Sequence, residues 1–167
     1  MIDVETLSTL PNAAILQIAA VKFKFKSDDI EIFCKNILIE SSIQHGLAVD
    51  KDTIAWWKTK PLNVIKSVTS NAIPIDDAIT NFIDFIGPNA STIAFWANGM
   101  NMDFPIIEST CRALGIKTPW RYYNLRDART VYAICNLDWK NYPRIGSYHN
   151  GLDDCLTQVK ALKECLA

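Results

Sequence analysis

The stretch Ala13–Ile39, AAILQIAAVKFKFKSDDIEIFCKNILI, decides the fold class. Ala13 to Phe25 and Ile30 to Ile39 are rich in β-branched and aromatic residues, and Lys26-Ser27-Asp28-Asp29 between them is a turn-like cluster. Together they predict a β-hairpin. A short strand at Ile2 adds to it and makes an antiparallel beginning. Outward from there the chain turns helical. Asp52 is placed to cap a short helix carrying Trp56 and Trp57, and Pro61 to start another that runs to about Ser70. Ile75, Ile79, Phe82, Ile83 and Ile86 follow helical spacing, stopped by Gly87-Pro88. Thr92 to Ala97 reads as a compact buried strand, Pro105 to Leu114 as a helix closed by Gly115, and Asp127 to Cys135 as a further helix. The last helix is predicted over about Gly151 to Leu166, with Leu152, Leu156, Val159, Leu162 and Leu166 on its apolar face. Strands first, then helices interleaved with a strand, predict an α/β fold: a mixed sheet flanked by helices.

Composition sets further bounds. The chain has 167 residues, of which 49% are hydrophobic. No repeat, low-complexity tract or linker interrupts it, so one domain over residues 1–167 is expected. No apolar run is long enough to cross a bilayer, so no membrane partner is expected. The N-terminus enters an acidic motif without a basic and apolar lead. The five cysteines, Cys34, Cys111, Cys135, Cys155 and Cys165, are odd in number and include no C-x-x-C pair. They read as reduced, mostly buried thiols of a cytoplasmic protein, without a zinc or disulfide framework. The net charge of −1 argues against a processive clamp on long nucleic acid. It is compatible with an enzyme that grips a few nucleotides at an end.

The chemistry lies in three scattered segments: Asp3-Val4-Glu5-Thr6, Asn98-Gly99-Met100-Asn101-Met102-Asp103 and His149-Asn150-Gly151-Leu152-Asp153-Asp154. Carboxylate oxygens suit hard cations such as Mg²⁺ or Mn²⁺, whereas zinc recruits more histidine and cysteine. Asp-x-Glu in a strand puts both carboxylates on one face, because side chains alternate with period two. Each piece also has a plainer structural use. Asp103, before Phe104-Pro105, is a good helix N-cap. Asp153 and Asp154 favour the macrodipole at a helix start. Asp3 and Glu5 could be surface acids, and His149 a solvated loop residue.

In order and spacing these motifs resemble the DEDD superfamily of 3′–5′ exonucleases in its histidine-bearing branch, which includes ribonuclease T, oligoribonuclease and polymerase proofreading subunits. Its Asp-x-Glu-Thr is matched by Asp3, Glu5 and Thr6. Its helix-opening aspartate is matched by Asp103, and its His-x-x-x-x-Asp by His149 and Asp154 rather than Asp153. The likeness extends to small phage and bacterial single-domain exonucleases: D-x-E-T-L-x-T-x-P-x-A-A-I at Asp3–Ile15, T-I-x-W-W at Thr53–Trp57, P-W at Pro119-Trp120, N-x-R-D-x-R-T at Asn124–Thr130, and R-x-G-x-x-H-N-x-L-D-D at Arg144–Asp154. In one respect the chain departs from the pattern: only Met1 and Ile2 precede Asp3, where the superfamily places a longer apolar strand.

The resemblance implies a ribonuclease H-like sheet, antiparallel at its start with further parallel strands. It also implies cleavage of single-stranded nucleic acid from the 3′ end to nucleoside 5′-monophosphates, RNA first and single-stranded DNA as the alternative. Asp3, Glu5 and Asp154 would hold the metal carrying the nucleophile. Asp3 would bridge to a second ion reached by Asp103, and His149 would be the general base, its pKa raised by the neighbouring carboxylates. The ions are expected to be Mg²⁺ or Mn²⁺, two per site. Thr6, Leu7 and Trp57 are the candidate substrate contacts, although Trp56, Trp57 and Trp120 read first as packing residues. Arg126, Arg129 and Arg144 are candidates for phosphate or for structural ion pairs; His45 has no motif around it. A homodimer is implied by the family alone. The competing hypothesis is a non-catalytic module that senses 3′ ends or nucleotides.

Overall fold

The computed structural model describes residues 1–166. Five strands form one sheet in the order β3-β2-β1-β4-β5: β1 Ile2–Thr6, β2 Ile15–Lys24, β3 Ser27–Asn36, β4 Phe95–Ala97 and β5 Leu125–Asp127. The β3-β2-β1 half is antiparallel, and β1-β4-β5 is parallel. Among the described residues, seven α-helices surround the sheet: α1 Ile39–Gln44, α2 Lys51–Trp57, α3 Leu62–Thr69, α4 Ile75–Ile86, α5 Met100–Ala113, α6 Ala128–Ile134 and α7 Gly151–Cys165. The mixed, helix-flanked sheet is the expected one and is consistent with a ribonuclease H-like fold.

Both faces of the sheet are covered, which is why β2 is buried continuously from Ile15 to Val21 instead of alternating with polar residues. On one face Ile2, Val4, Ile18, Ala20 and Phe33 meet Val68, Ile79, Phe82, Phe104 and Ile107 from α3, α4 and α5. On the other, Met1, Ala19 and Val21 meet Tyr132, Val159 and Leu162 from α6 and α7. Period-two alternation along β1 sends Ile2 and Val4 into the first core. Asp3 and Glu5 are thereby turned toward α7.

Several local expectations are corrected. The hairpin turns at Phe25-Lys26, since Lys24 already pairs with Ser27. The polar Ser27-Asp28-Asp29 segment belongs to β3, an edge strand that exposes it. α2 is capped by Asp50, whose carboxylate accepts from the Asp52 and Thr53 amides, rather than by Asp52. α5 begins at Met100, so Asp103 sits inside its first turn and is not its N-cap. The reason is remote: the Asp127 carboxylate accepts from the Met100 amide and starts the helix early. β4 is three residues long, shorter than Thr92–Ala97.

The thiols also differ from expectation. Cys135 and Cys165 form a disulfide with Cα atoms 5.8 Å apart, a span such a bond accommodates. The Tyr132 hydroxyl, near the end of α6, donates to the Gln158 carbonyl in the middle of α7 and ties the two helices together. No spacing motif announces a pair 30 residues apart. Cys34, Cys111 and Cys155 are free. Among the described residues, no helix is long and apolar enough to cross a membrane.

Candidate active site

A cleft of about 1210 Å³ opens where β1 and β4 end, between α2, the start of α5, the start of α6 and the 143–150 loop. Asp3, Glu5 and Asp154 each place a carboxylate oxygen in it, and these oxygens lie within 4.8 Å of one another. Asp3 and Glu5 come from one face of β1, whereas Asp154 comes from the first turn of α7. That turn can reach the sheet because residue 151 is glycine: a Cβ there would meet Gln17 Oε1 at 3.0 Å, the Ala19 Cβ at 3.1 Å and Asp3 Oδ2 at 3.4 Å. The Gly151 amide instead donates to Gln17 Oε1 at 2.7 Å.

Asp103 lines the same cleft from α5, and its Oδ1 accepts from the Val4 amide at 3.1 Å. It therefore neighbours the cluster without joining the three-oxygen group. The carboxylates are buried beside one another, and both effects disfavour charge. Asp3 is pushed up to about 6, chiefly by desolvation and against the hydrogen bond from Gln158. Desolvation and then the charges of Asp3 and Asp103 push Glu5 up to about 9. Asp103 is raised well above the ordinary range by burial and by Asp3. Converging acids that are costly to ionise together form a donor set suited to hard cations. The residues fit a divalent metal centre.

His149 adopts a left-handed backbone conformation, φ 62°, uncommon for a residue with a side chain. Its amide donates to Asp154 Oδ2 at 3.2 Å. Its ring stands edge-on to Trp56, centroids 4.7 Å apart. The expected upward push on its pKa is reversed: burial, then Lys60 and Arg144, lower it. Asp153 faces the other way, accepting from the Ser147 amide at 2.7 Å. Asn150 caps α7 by accepting from the Asp153 amide.

The other sequence candidates divide. Thr6 and Trp57 line the cleft, with the Trp57 indole donating to the Thr6 carbonyl at 2.8 Å. Leu7 is 7% exposed and packs in the core. Trp56 is 40% exposed on the cleft wall, and Trp120 is buried among Phe82, Phe95 and Phe104. Arg129 and Arg144 face the cleft; Arg126 is turned to the Tyr123 and Leu125 carbonyls. Sequence reading missed Gln158, whose Nε2 donates to Asp3 Oδ1 at 2.9 Å. The available signal was its position one helical turn after Asp154, on the same face.

The arrangement offers a buried carboxylate centre, an adjacent imidazole and an open cleft with aromatic walls. A model of the family described as 3′–5′ exoribonuclease Rv2179c-like domain matches residues 1–166. The chain belongs to this family. The Rv2179c-like domain is a 3′–5′ exonuclease, so the enzyme expected from the motifs is the enzyme found. It is also similar to a protein named exodeoxyribonuclease from Enterobacteria phage T4, at 27% identity over 157 residues, covering 78% of this chain and 68% of the relative. As a member of the Rv2179c-like family it acts on nucleic acid.

Proposed function

We propose that this domain hydrolyses single-stranded nucleic acid from the 3′ end, RNA in preference to DNA, and releases nucleoside 5′-monophosphates at a two-metal site. The observation that carries this reading is the meeting of Asp3, Glu5 and Asp154 oxygens within 4.8 Å, with the His149 amide bonded to one of those carboxylates. Asp3, Glu5 and Asp154 would hold one Mg²⁺ or Mn²⁺, and Asp103 together with Asp3 a second. Bound divalent ions supply Lewis-acid stabilisation of the attacking and leaving oxygens.

The chain's own groups do the rest. His149 accepts the proton of the attacking water at an imidazole nitrogen. Burial with Lys60 and Arg144 nearby favours its neutral, proton-accepting form. Trp56 against the ring restricts its orientation, and Gln158 fixes the direction of the Asp3 carboxylate. Thr6 and Trp57 would face the terminal nucleotide, with Leu7 supporting them from the core. A cytoplasmic setting and a homodimer complete the proposal, the latter by resemblance alone and open to light scattering.

Single-stranded DNA is the second reading, favoured by the phage relative, which is named an exodeoxyribonuclease. Matched 5′-labelled RNA and DNA oligomers, with 3′-hydroxyl or 3′-phosphate ends, decide among these outcomes. A descending RNA ladder that needs Mg²⁺ or Mn²⁺, stops in EDTA and is blocked by 3′-phosphate is expected. Faster loss of DNA would transfer the preference, and full turnover in EDTA would end the metal reading.

A further inference from the structure

Arg144 stands in the loop before α7 and turns inward. Its side chain is 15% exposed, and its guanidinium pairs through Nη2 with Asp154 Oδ1. The other Asp154 oxygen accepts from the His149 amide, so both oxygens of this carboxylate are already engaged. The guanidinium carbon lies 4.3 Å from the Tyr148 ring centroid and 5.7 Å from that of Trp139. Tyr148 is itself exposed. The buried Arg144 Nε has no hydrogen-bond partner among the described residues.

A buried arginine with an idle donor is incompletely compensated. It is held by attraction to the carboxylates and by stacking, not by a closed set of hydrogen bonds. Its charge also acts on Asp3 and Glu5, favouring their ionised forms. It thus occupies the electrostatic place that a divalent ion would take. The planar donor fork of a guanidinium matches phosphate as well as carboxylate, and it faces the cleft proposed above to take nucleic acid.

We infer that Arg144 is a displaceable counter-cation: it must leave Asp154 before a divalent ion takes that ligand, and the freed guanidinium then binds a phosphate of the nucleic acid. The inference rests on the carboxylates being metal ligands. It makes metal and substrate binding interdependent, because arrival of phosphate draws away the group that competes with the metal.

The test is calorimetric titration of Mn²⁺ into wild-type, Arg144→Gln and Arg144→Lys proteins, followed by adenosine 5′-monophosphate at saturating Mn²⁺. Melting curves are recorded alongside to confirm the fold. Removing a competing charge at contact range is expected to tighten Mn²⁺ binding by about tenfold or more in Arg144→Gln. The monophosphate should bind about tenfold more weakly to that variant, by loss of a charged phosphate contact. Arg144→Lys keeps the charge and should return Mn²⁺ affinity toward wild type, guarding against a simple packing effect. Equal or weaker Mn²⁺ binding by Arg144→Gln would make Arg144 a mere brace for Asp154 and overturn the inference; unchanged monophosphate affinity would overturn its phosphate half. A wild-type protein that binds no Mn²⁺ would remove the metal reading and the inference together.

Discussion

The Gln158 amide group donates to the Asp3 carboxylate across 2.9 Å and joins α7 to the middle of the sheet. Gln158 is itself buried, so the donor cannot turn away without leaving Asp3 unpaired. Groups that orient metal ligands in this way commonly contribute 10- to 100-fold to metal affinity or activity. Gln158→Met keeps the volume and removes the donor. Its exonuclease rate at limiting Mn²⁺ should fall by about 10- to 100-fold, with part of the loss recovered at high Mn²⁺. A variant as active as wild type at every Mn²⁺ concentration would show that Asp3 needs no orienting partner.

His149→Ala should lower the turnover rate by about 10²- to 10⁴-fold, the usual contribution of a general base, while 3′-end affinity changes little. In the wild type the rate should rise with pH as the imidazole loses its proton. The midpoint is expected below the ordinary histidine value, because burial, Lys60 and Arg144 all disfavour the cation. Lys60→Ala should move that midpoint upward. A pH profile identical in wild type and His149→Ala would take His149 out of proton transfer.

Asp3, Glu5 and Asp103 have folded-state pKa values raised above their ordinary ones, Asp3 to about 6 and Glu5 to about 9. The folded protein therefore binds more protons than the unfolded chain between the ordinary carboxylate range and about pH 9. Stability linked to these groups is fully present below that window and is lost as pH rises through it. In EDTA, the melting temperature should fall from pH 5 to pH 9, and the fall should be smaller with Mg²⁺. Asp103→Asn with Glu5→Gln should flatten it. A melting temperature that climbs with pH in EDTA, and equally in the variant, would contradict this electrostatic origin.

The Cys135–Cys165 bond closes a loop over 30 positions, for which chain-entropy reasoning gives roughly 3–4 kcal/mol of stabilisation. Alkylation of the denatured, unreduced protein should label three thiols, Cys34, Cys111 and Cys155. Dithiothreitol should lower the melting temperature, and Cys135→Ser should lower it without further response to reductant. Five labelled thiols in protein isolated under non-reducing conditions would restore the all-reduced thiols read from the sequence.

How much was legible depended on whether a residue's role is local. α4 and α7 follow their apolar spacing and stop where Gly87 and Leu166 end them; the β2–β3 hairpin is visible in its β-branched runs. β5 was missed because three residues, Leu125–Asp127, are too few to display a period. The start of α5 was misplaced because its capping carboxylate, Asp127, lies 27 positions away. Asp3, Glu5 and Asp154 stood out as motif residues. Gln158 is an ordinary helical glutamine until its partner is seen. The downward shift of His149 comes first from burial, which needs the folded cleft, and then from Lys60, which belongs to no motif, and Arg144.

The carboxylate centre is closed by a contact between residues 155 positions apart. During synthesis, then, Asp3 and Glu5 leave the ribosome long before α7 exists to meet them. Pairings of such separation carry a high loop-closure cost and form late. A nascent or truncated chain lacking α7 has no assembled centre. The enzyme thus gains the means to cut nucleic acid only after α7 has been made and has folded back onto β1.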